Sequence, residues 1–254
     1  MPSSSVATFL DKSVNKIGPT KWYSALHYYR FLFIINYLLK RKINKNKKET
    51  VLEIGVWPGY LAFALSLAGM EVSGIDMKPE RINLTDYFKD FWQYDLNSNP
   101  LIFPCKDNYC NYVVASEVIE HLNPKNSSSF FSEIERILKP DGLLILTTPN
   151  RNSLHNKLRR SNMIEKAKDG HGHVYEYVEK ELNKIISQSR IKILSSETIN
   201  FYANVGSLAK NEYFYPLTSF RHYPNKLFNI LKLLALPAKQ IPPLKDSLII
   251  IAQK

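Results

Sequence analysis

Three short apolar runs, residues 51–54, 71–75 and 143–148, punctuate the chain and end at Gly55, Asp76 and Pro149 in turn. Runs of this length without polar alternation predict strands buried on both faces, as in a parallel sheet. Between them the spacing changes. Phe130, Phe131, Ile134, Ile137 and Leu138 recur at helical intervals, and Lys139-Pro140-Asp141-Gly142 closes that helix, because proline and glycine do not continue it. Residues 60–68 and 178–186 predict two more helices, and 191–194 with 248–251 predict a last pair of neighbouring strands. Strands alternating with helices predict an α/β fold: a Rossmann-like, doubly wound, mostly parallel sheet with helices on both faces.

The unit from residue 51 to 79 carries the clearest chemistry. Its first strand turns at Gly55 and Gly59, where the missing Cβ lets the backbone turn tightly and come close to a ligand. A helix and a second strand follow, and that strand ends in Asp76, placed where a carboxylate accepts hydrogen bonds from both hydroxyls of a ribose. The unit therefore predicts a nucleotide-cofactor cradle. The dinucleotide fingerprint GxGxxG is not satisfied, which counts against a nicotinamide-linked dehydrogenase. Glu53, Gly55 and Gly59 instead fit the E/D-x-G-x-G-x-G turn, with Trp57 in place of the middle glycine. The chain thus resembles the class I S-adenosylmethionine-dependent methyltransferases, of the type 11 and type 23 kind. An indole at position 57 either turns away from the cofactor or becomes a wall of its site.

Further segments match in the order this resemblance requires, over roughly residues 49–189. FWQYDL at 91–96 is similar to the exit of a third strand, which implies Asp95 near the adenine amino group, and YVVASEVIEHL at 112–122 to a fourth strand and its active-site loop. LKPDGLLILTTPN is similar to the fifth-strand segment of many small-molecule methyltransferases. The resemblance implies a seven-stranded sheet, S-adenosylmethionine as cofactor with S-adenosylhomocysteine as product, and a cofactor set of Glu53, Gly55, Trp57, Gly59, Asp76, Met77, Asp95, Leu96 and Ser116.

The candidate catalytic residues follow the fourth strand. Glu117, Glu120 and His121 form E-x-x-E-H at the edge where ligands bind in doubly wound folds, and His171-Gly172-His173-Val174-Tyr175-Glu176-Tyr177 returns to the same edge. Histidine is the side chain best suited to moving a proton near neutral pH, so His121 or His173 is expected to deprotonate an acceptor hydroxyl, with Glu117 orienting the imidazole. The plainer reading has Glu120 and His121 capping the helix entry. Glu117, Glu120, His121 and His173 also suit a divalent metal, Mg²⁺ or Mn²⁺. That arrangement is similar to small-RNA 3′-terminal 2′-O-methyltransferases, and E-x-x-E-H also occurs in ubiquinone-biosynthesis O-methyltransferases. The same segment is widespread in the superfamily without a metal, so a metal is not the favoured expectation.

Composition narrows the setting. The 254 residues are enough for one α/β core with additions. With the resemblance, they are expected to divide into a helical cap and basic linker, 1–48, and a methyltransferase domain, 49–254. Insertions at about 151–172 and 201–243 are expected to form a substrate lid, the second aromatic-rich and bearing Arg221 and His222. Two cysteines, Cys105 and Cys110, lack a zinc spacing, so neither a disulfide framework nor a cysteine nucleophile is expected. With no signal peptide and no spanning run, the expectation is a cytoplasmic protein. The apolar segments 23–39 and 226–236 have basic flanks, which suits contact with a membrane surface as well as packing on the sheet, and packing is the plainer reading. The cluster at 40–48 reads as a solvated linker that could also bind phosphates. A net charge of +11 raises nucleic acid as a partner, but no RNA- or DNA-binding motif accompanies it. The resemblance implies O-methylation of a hydroxyl on a saccharide or other small metabolite, with a lipid-linked saccharide among the acceptors it admits. The alternatives are a metal-assisted RNA 2′-O-methyltransferase and a non-catalytic cofactor-binding scaffold.

Overall fold

The computed structural model describes residues 4–17, 24–41, 48–78, 87–154, 156–157, 172–199 and 245–254. Positions 42–47 of the basic cluster, the first insertion between 158 and 171 with His171, and the whole 201–243 insertion with Arg221, His222 and the apolar run 226–236 lie outside the described residues.

Seven strands form one sheet: β1 Thr50–Ile54, β2 Glu71–Asp76, β3 Phe91–Gln93, β4 Cys110–Ser116, β5 Leu138–Pro149, β6 Lys192–Ile199 and β7 Ser247–Gln253. Their spatial order is β3-β2-β1-β4-β5-β7-β6. β7 lies antiparallel between β5 and β6, and the other neighbouring pairs are parallel. The helices are α1 Ser4–Ile17, α2 Ser24–Arg41, α3 Tyr60–Leu67, α4 Ser127–Ile137 and α5 Glu179–Ile186.

Strand periodicity sends alternate residues to opposite cores. Leu52, Ile54, Leu144 and Leu146 pack with Phe130 and Phe131 of α4 and Leu182 and Ile186 of α5. Val51, Leu143 and Ile145 pack on the other face with Leu10 of α1, Ile35 of α2 and Leu61 of α3. Both faces are covered, which is why these strands read as unbroken apolar runs. The described side chains of the apolar segment 23–39 serve this second core. Phe31, Leu32, Ile34, Ile35 and Leu38 are buried in it, and Phe33 and Tyr37 pack on Ile249 and Ile251 of β7.

Two boundaries differ from expectation. α4 starts at Ser127 rather than 130, because a 3-10 turn, Pro124–Asn126, leads into it and the Asn123 side chain accepts a hydrogen bond from the Lys125 amide at 3.1 Å. Lys139 to Gly142, expected to end the helix, lies inside β5. Leu138 pairs with Cys110 and Leu143 with Tyr112, so the intervening residues bulge from a strand already paired. β3 has only three residues, and Asp95 and Leu96 lie beyond its end. Cys105 and Cys110 are buried free thiols.

Candidate active site

The turn after β1 is shaped by what a side chain would meet. Gly55 has φ of 74° and donates its amide to the Ile75 carbonyl at 2.8 Å. A Cβ there would come within 2.6 Å of Val118 Cγ2, so only glycine fits. Gly59, at φ of 101°, opens α3. The Asp76 carboxylate ties the turn to the end of β2, accepting from the Trp57 amide at 3.0 Å and the Lys78 amide at 2.9 Å. The Tyr94 amide donates to the Asp76 carbonyl at 2.9 Å, which draws the start of the 94–96 segment alongside. Asp95 is exposed and accepts from the Asn97 amide at 2.8 Å, Leu96 packs on the core, and Met77 is half exposed. Ser116, at the end of β4, shares a 3.0 Å hydroxyl contact with Thr147. The whole expected cofactor set thus gathers at the carboxyl ends of β1 to β4. Glu53 lies beneath the turn. Burial first, and then the negative charge of Asp76, pushes its carboxyl well above the usual range, and its Oε2 has no hydrogen-bond partner among the described residues.

The chain leaves β4 in a left-handed conformation at Glu117, φ 58°, whose amide donates to the Thr147 carbonyl. Its carboxylate takes an ion pair from Arg30 Nη1 at 2.9 Å and a hydrogen bond from the Thr147 hydroxyl at 3.2 Å. Arg30 is 3% exposed, and its Nε and Nη2 have no partner among the described residues. The sequence reading missed this residue. The available signal was a single guanidinium inside the apolar run of α2, a costly placement unless something anionic meets it.

Three further side chains converge beside this pair. Glu120 is wholly buried. Its Oε2 accepts from the Thr148 hydroxyl at 2.9 Å, and its Oε1 has no partner among the described residues. Burial first, then the Glu117 charge, raises its carboxyl well above the usual range. The Glu120 carbonyl accepts from the amides of Val174 at 2.8 Å and Tyr175 at 3.1 Å, which clips the 172–177 segment onto the loop after β4. His121 Nδ1 lies 3.1 Å from the Gly172 carbonyl. A carbonyl only accepts, so Nδ1 carries the hydrogen and Nε2 keeps its lone pair. Although part of His121 is open to solvent, the protein packed around the ring, and then the His173 imidazole, lowers its pKa below the ordinary 6.5. His173 Nδ1 lies 2.7 Å from Glu176 Oε1, and the two imidazole rings meet edge to face at 5.1 Å.

Glu176 thus holds an imidazole, not Glu117 as expected. The left-handed backbone at Glu117 directs its carboxylate to Arg30 and Thr147, while Glu176 is buried three residues from His173. Ligand atoms of Glu120, His121 and His173 lie within 4.8 Å of one another, so three of the four residues of the expected metal set come together without Glu117.

A family model described as a methyltransferase domain matches residues 26–190. The chain belongs to this methyltransferase family. Its sheet is that of the class I methyltransferase fold. A SAM-dependent methyltransferase from Archaeoglobus fulgidus superposes with a TM-score of 0.53 at 17% identity, over 88% of this chain and 94% of that one. Phosphoethanolamine N-methyltransferase 2 of Haemonchus contortus, solved with S-adenosyl-L-methionine, gives 0.56 at 15% identity, over 87% of this chain and 52% of that one. At these identities the likeness is one of fold. In sequence, the chain is 33% identical over 144 residues to the mitochondrial ubiquinone biosynthesis O-methyltransferase of Rattus norvegicus, covering 49% of this chain and 39% of that one. It is 31% identical over 126 residues to the ubiquinone biosynthesis O-methyltransferase of Haemophilus ducreyi, covering 46% and 51%. The chain thus spans about half the length, or less, of these two curated relatives.

Proposed function

We propose that this protein is an S-adenosylmethionine-dependent O-methyltransferase acting on a hydroxyl of a small molecule. The observation that carries the reading is a convergence at one sheet edge. The glycine turn locked by Asp76, and two imidazoles presenting Nε2 lone pairs, lie together at the carboxyl ends of β1, β2 and β4.

The residues present suit such a cofactor. Gly55 keeps the turn bare backbone because a Cβ there would strike Val118, the nitrogens of buried Arg30 that are unpaired among the described residues suit a carboxylate, and the Asp76 oxygens keep lone pairs for a ribose diol beyond those used by two amides. In this reading Arg30 holds the cofactor's carboxylate, Asp76 its ribose, and Met77, Asp95 and Leu96 its adenine, with Trp57 walling one side of the turn. When bound, the cofactor supplies a methyl group made electrophilic by a sulfonium. The protein's part is to position the acceptor and take its proton. Neutral His121 or His173 accepts that proton at Nε2, and Glu176 holds the His173 ring in the tautomer that leaves this nitrogen free.

The relatives' names support O-methylation of a small molecule. The saccharide acceptor expected from the resemblance is the finer form of this proposal. Metal-assisted chemistry is a second reading, favoured by the clustering of Glu120, His121 and His173. Both are tested by titrating the cofactor-stripped protein with S-adenosylhomocysteine, with EDTA and then with Mn²⁺. Saturable binding in EDTA supports the first reading, and binding that requires Mn²⁺ supports the second. Absence of binding in every condition rejects the methyltransferase assignment.

A further inference from the structure

Beside the histidines lies an open recess of about 600 Å³, lined by Asn97, Asn99, Asn123 and Asn126 with Lys125 and Ser129. It shares backbone with the catalytic loop. Asn97 Nδ2 donates to the His121 carbonyl at 3.4 Å, and Val174, its apolar lining residue, follows His173 and donates its amide to the Glu120 carbonyl. The walls are anchored. Asn97 Oδ1 accepts from the Asn123 amide at 2.7 Å, Asn123 Oδ1 accepts from the Lys125 amide, and Asn126 Nδ2 points to the Leu96 carbonyl at 3.5 Å. The Asn99 amide, the Asn123 Nδ2, the Lys125 ammonium and the Ser129 hydroxyl have no partner among the described residues.

This inventory selects a ligand chemistry. It mixes hydrogen-bond donors and acceptors and contains no carboxylate and no aromatic ring. An apolar chain seated here would desolvate these groups without pairing them, which is costly. Hydroxyl groups, each a donor and an acceptor, pair with amides, an ammonium and a hydroxyl alike. The volume lies within the range of small-molecule sites. We infer that the recess is an acceptor subsite for a hydroxyl-rich group, a sugar ring, held while a neighbouring hydroxyl reaches the histidines. The role in methyl transfer rests on the function proposed above, whereas sugar binding in the recess stands without it.

The test is saturation-transfer NMR on the full chain with maltose, lactose, sucrose and N,N′-diacetylchitobiose at millimolar concentration. It compares wild type with Ser129→Phe, which fills the recess, and Asn99→Leu, which removes an exposed amide. S-adenosylhomocysteine affinity is measured on all three. At least one disaccharide is expected to show ring-proton transfer that falls several-fold in both variants while cofactor-product affinity stays level. If Ser129→Phe does not fold, Asn99→Leu decides. No transfer from any of the four sugars, or transfer unaltered by the variants, overturns the subsite. Sugar binding that survives alongside a failure of S-adenosylhomocysteine to bind supports the subsite and removes the methyltransferase reading instead.

Discussion

A guanidinium sealed within the apolar face of α2, with two of its nitrogens unpaired among the described residues, is the residue on which cofactor affinity is proposed to turn. Replacing Arg30 with Met is expected to weaken S-adenosylhomocysteine binding by about 2 kcal/mol, the scale of hydrogen bonds to a charged group, which is roughly a thirtyfold rise in Kd. Calorimetric titration reads it, with Arg30→Met/Glu117→Gln as the control that leaves no stranded carboxylate. Asp76→Ala removes two charge-assisted bonds and is expected to cost on the order of 2 to 4 kcal/mol of the same affinity, and unchanged binding would remove the ribose assignment. His121 gives a pH signature. Its pKa is depressed in the fold, so the native state favours the neutral ring. The resulting stability is present above the ordinary 6.5 and is lost as pH falls through the lower folded value. Melting temperatures of wild type should therefore drop more steeply below pH 6.5 than those of His121→Gln.

At the level of elements, the turn between β1 and α3 is the least replaceable part. Gly55→Ala meets both a left-handed φ and Val118 at 2.6 Å, so a loss of about 1 to 3 kcal/mol is expected from denaturant midpoints. Much of this level was legible in the sequence. β1, β2 and the apolar half of β5 are buried on both faces, and that burial writes itself as an unbroken run. The alternation of strands and helices gave the layer order. The failures have local causes. The start of α4 depends on a side-chain bond from Asn123, which no periodicity carries, and the 139–142 segment has the composition of a helix stop yet joins a strand through a bulge. The gathering of the expected cofactor residues at one sheet edge was legible because a fixed spacing on one strand-turn-helix-strand unit supplies most of them. Arg30 and Glu176 were not. Arg30 meets Glu117 through tertiary packing of α2 that no local pattern records, and Glu176 was hidden in a motif read for its histidines.

For the molecule as a whole, the two cores cover both faces of the sheet and leave the proposed site at one edge, where the buried acids Glu53 and Glu120 are carried at a cost to stability. Glu120 is raised well above the usual carboxyl range, so the stability its protonated form contributes is present at low pH and lost as pH rises through the folded value. Glu120→Gln is accordingly expected to raise the melting temperature at pH 7 and less so at pH 5, while lowering turnover, as stabilised active-site variants commonly do. No helix among the described residues is long and apolar enough to cross a membrane, and the described apolar side chains of α2 are used in packing on the sheet. The +11 charge comes with no RNA- or DNA-binding motif in the sequence. In the proposed function a methyl-donor cofactor sits over the Gly55 turn. A crystal structure grown with saturating S-adenosylhomocysteine tests it most directly. The ligand is expected over Gly55 to Gly59, with its carboxylate on Arg30 and its ribose on Asp76. A ligand bound elsewhere, or a turn left empty at saturation, would contradict it.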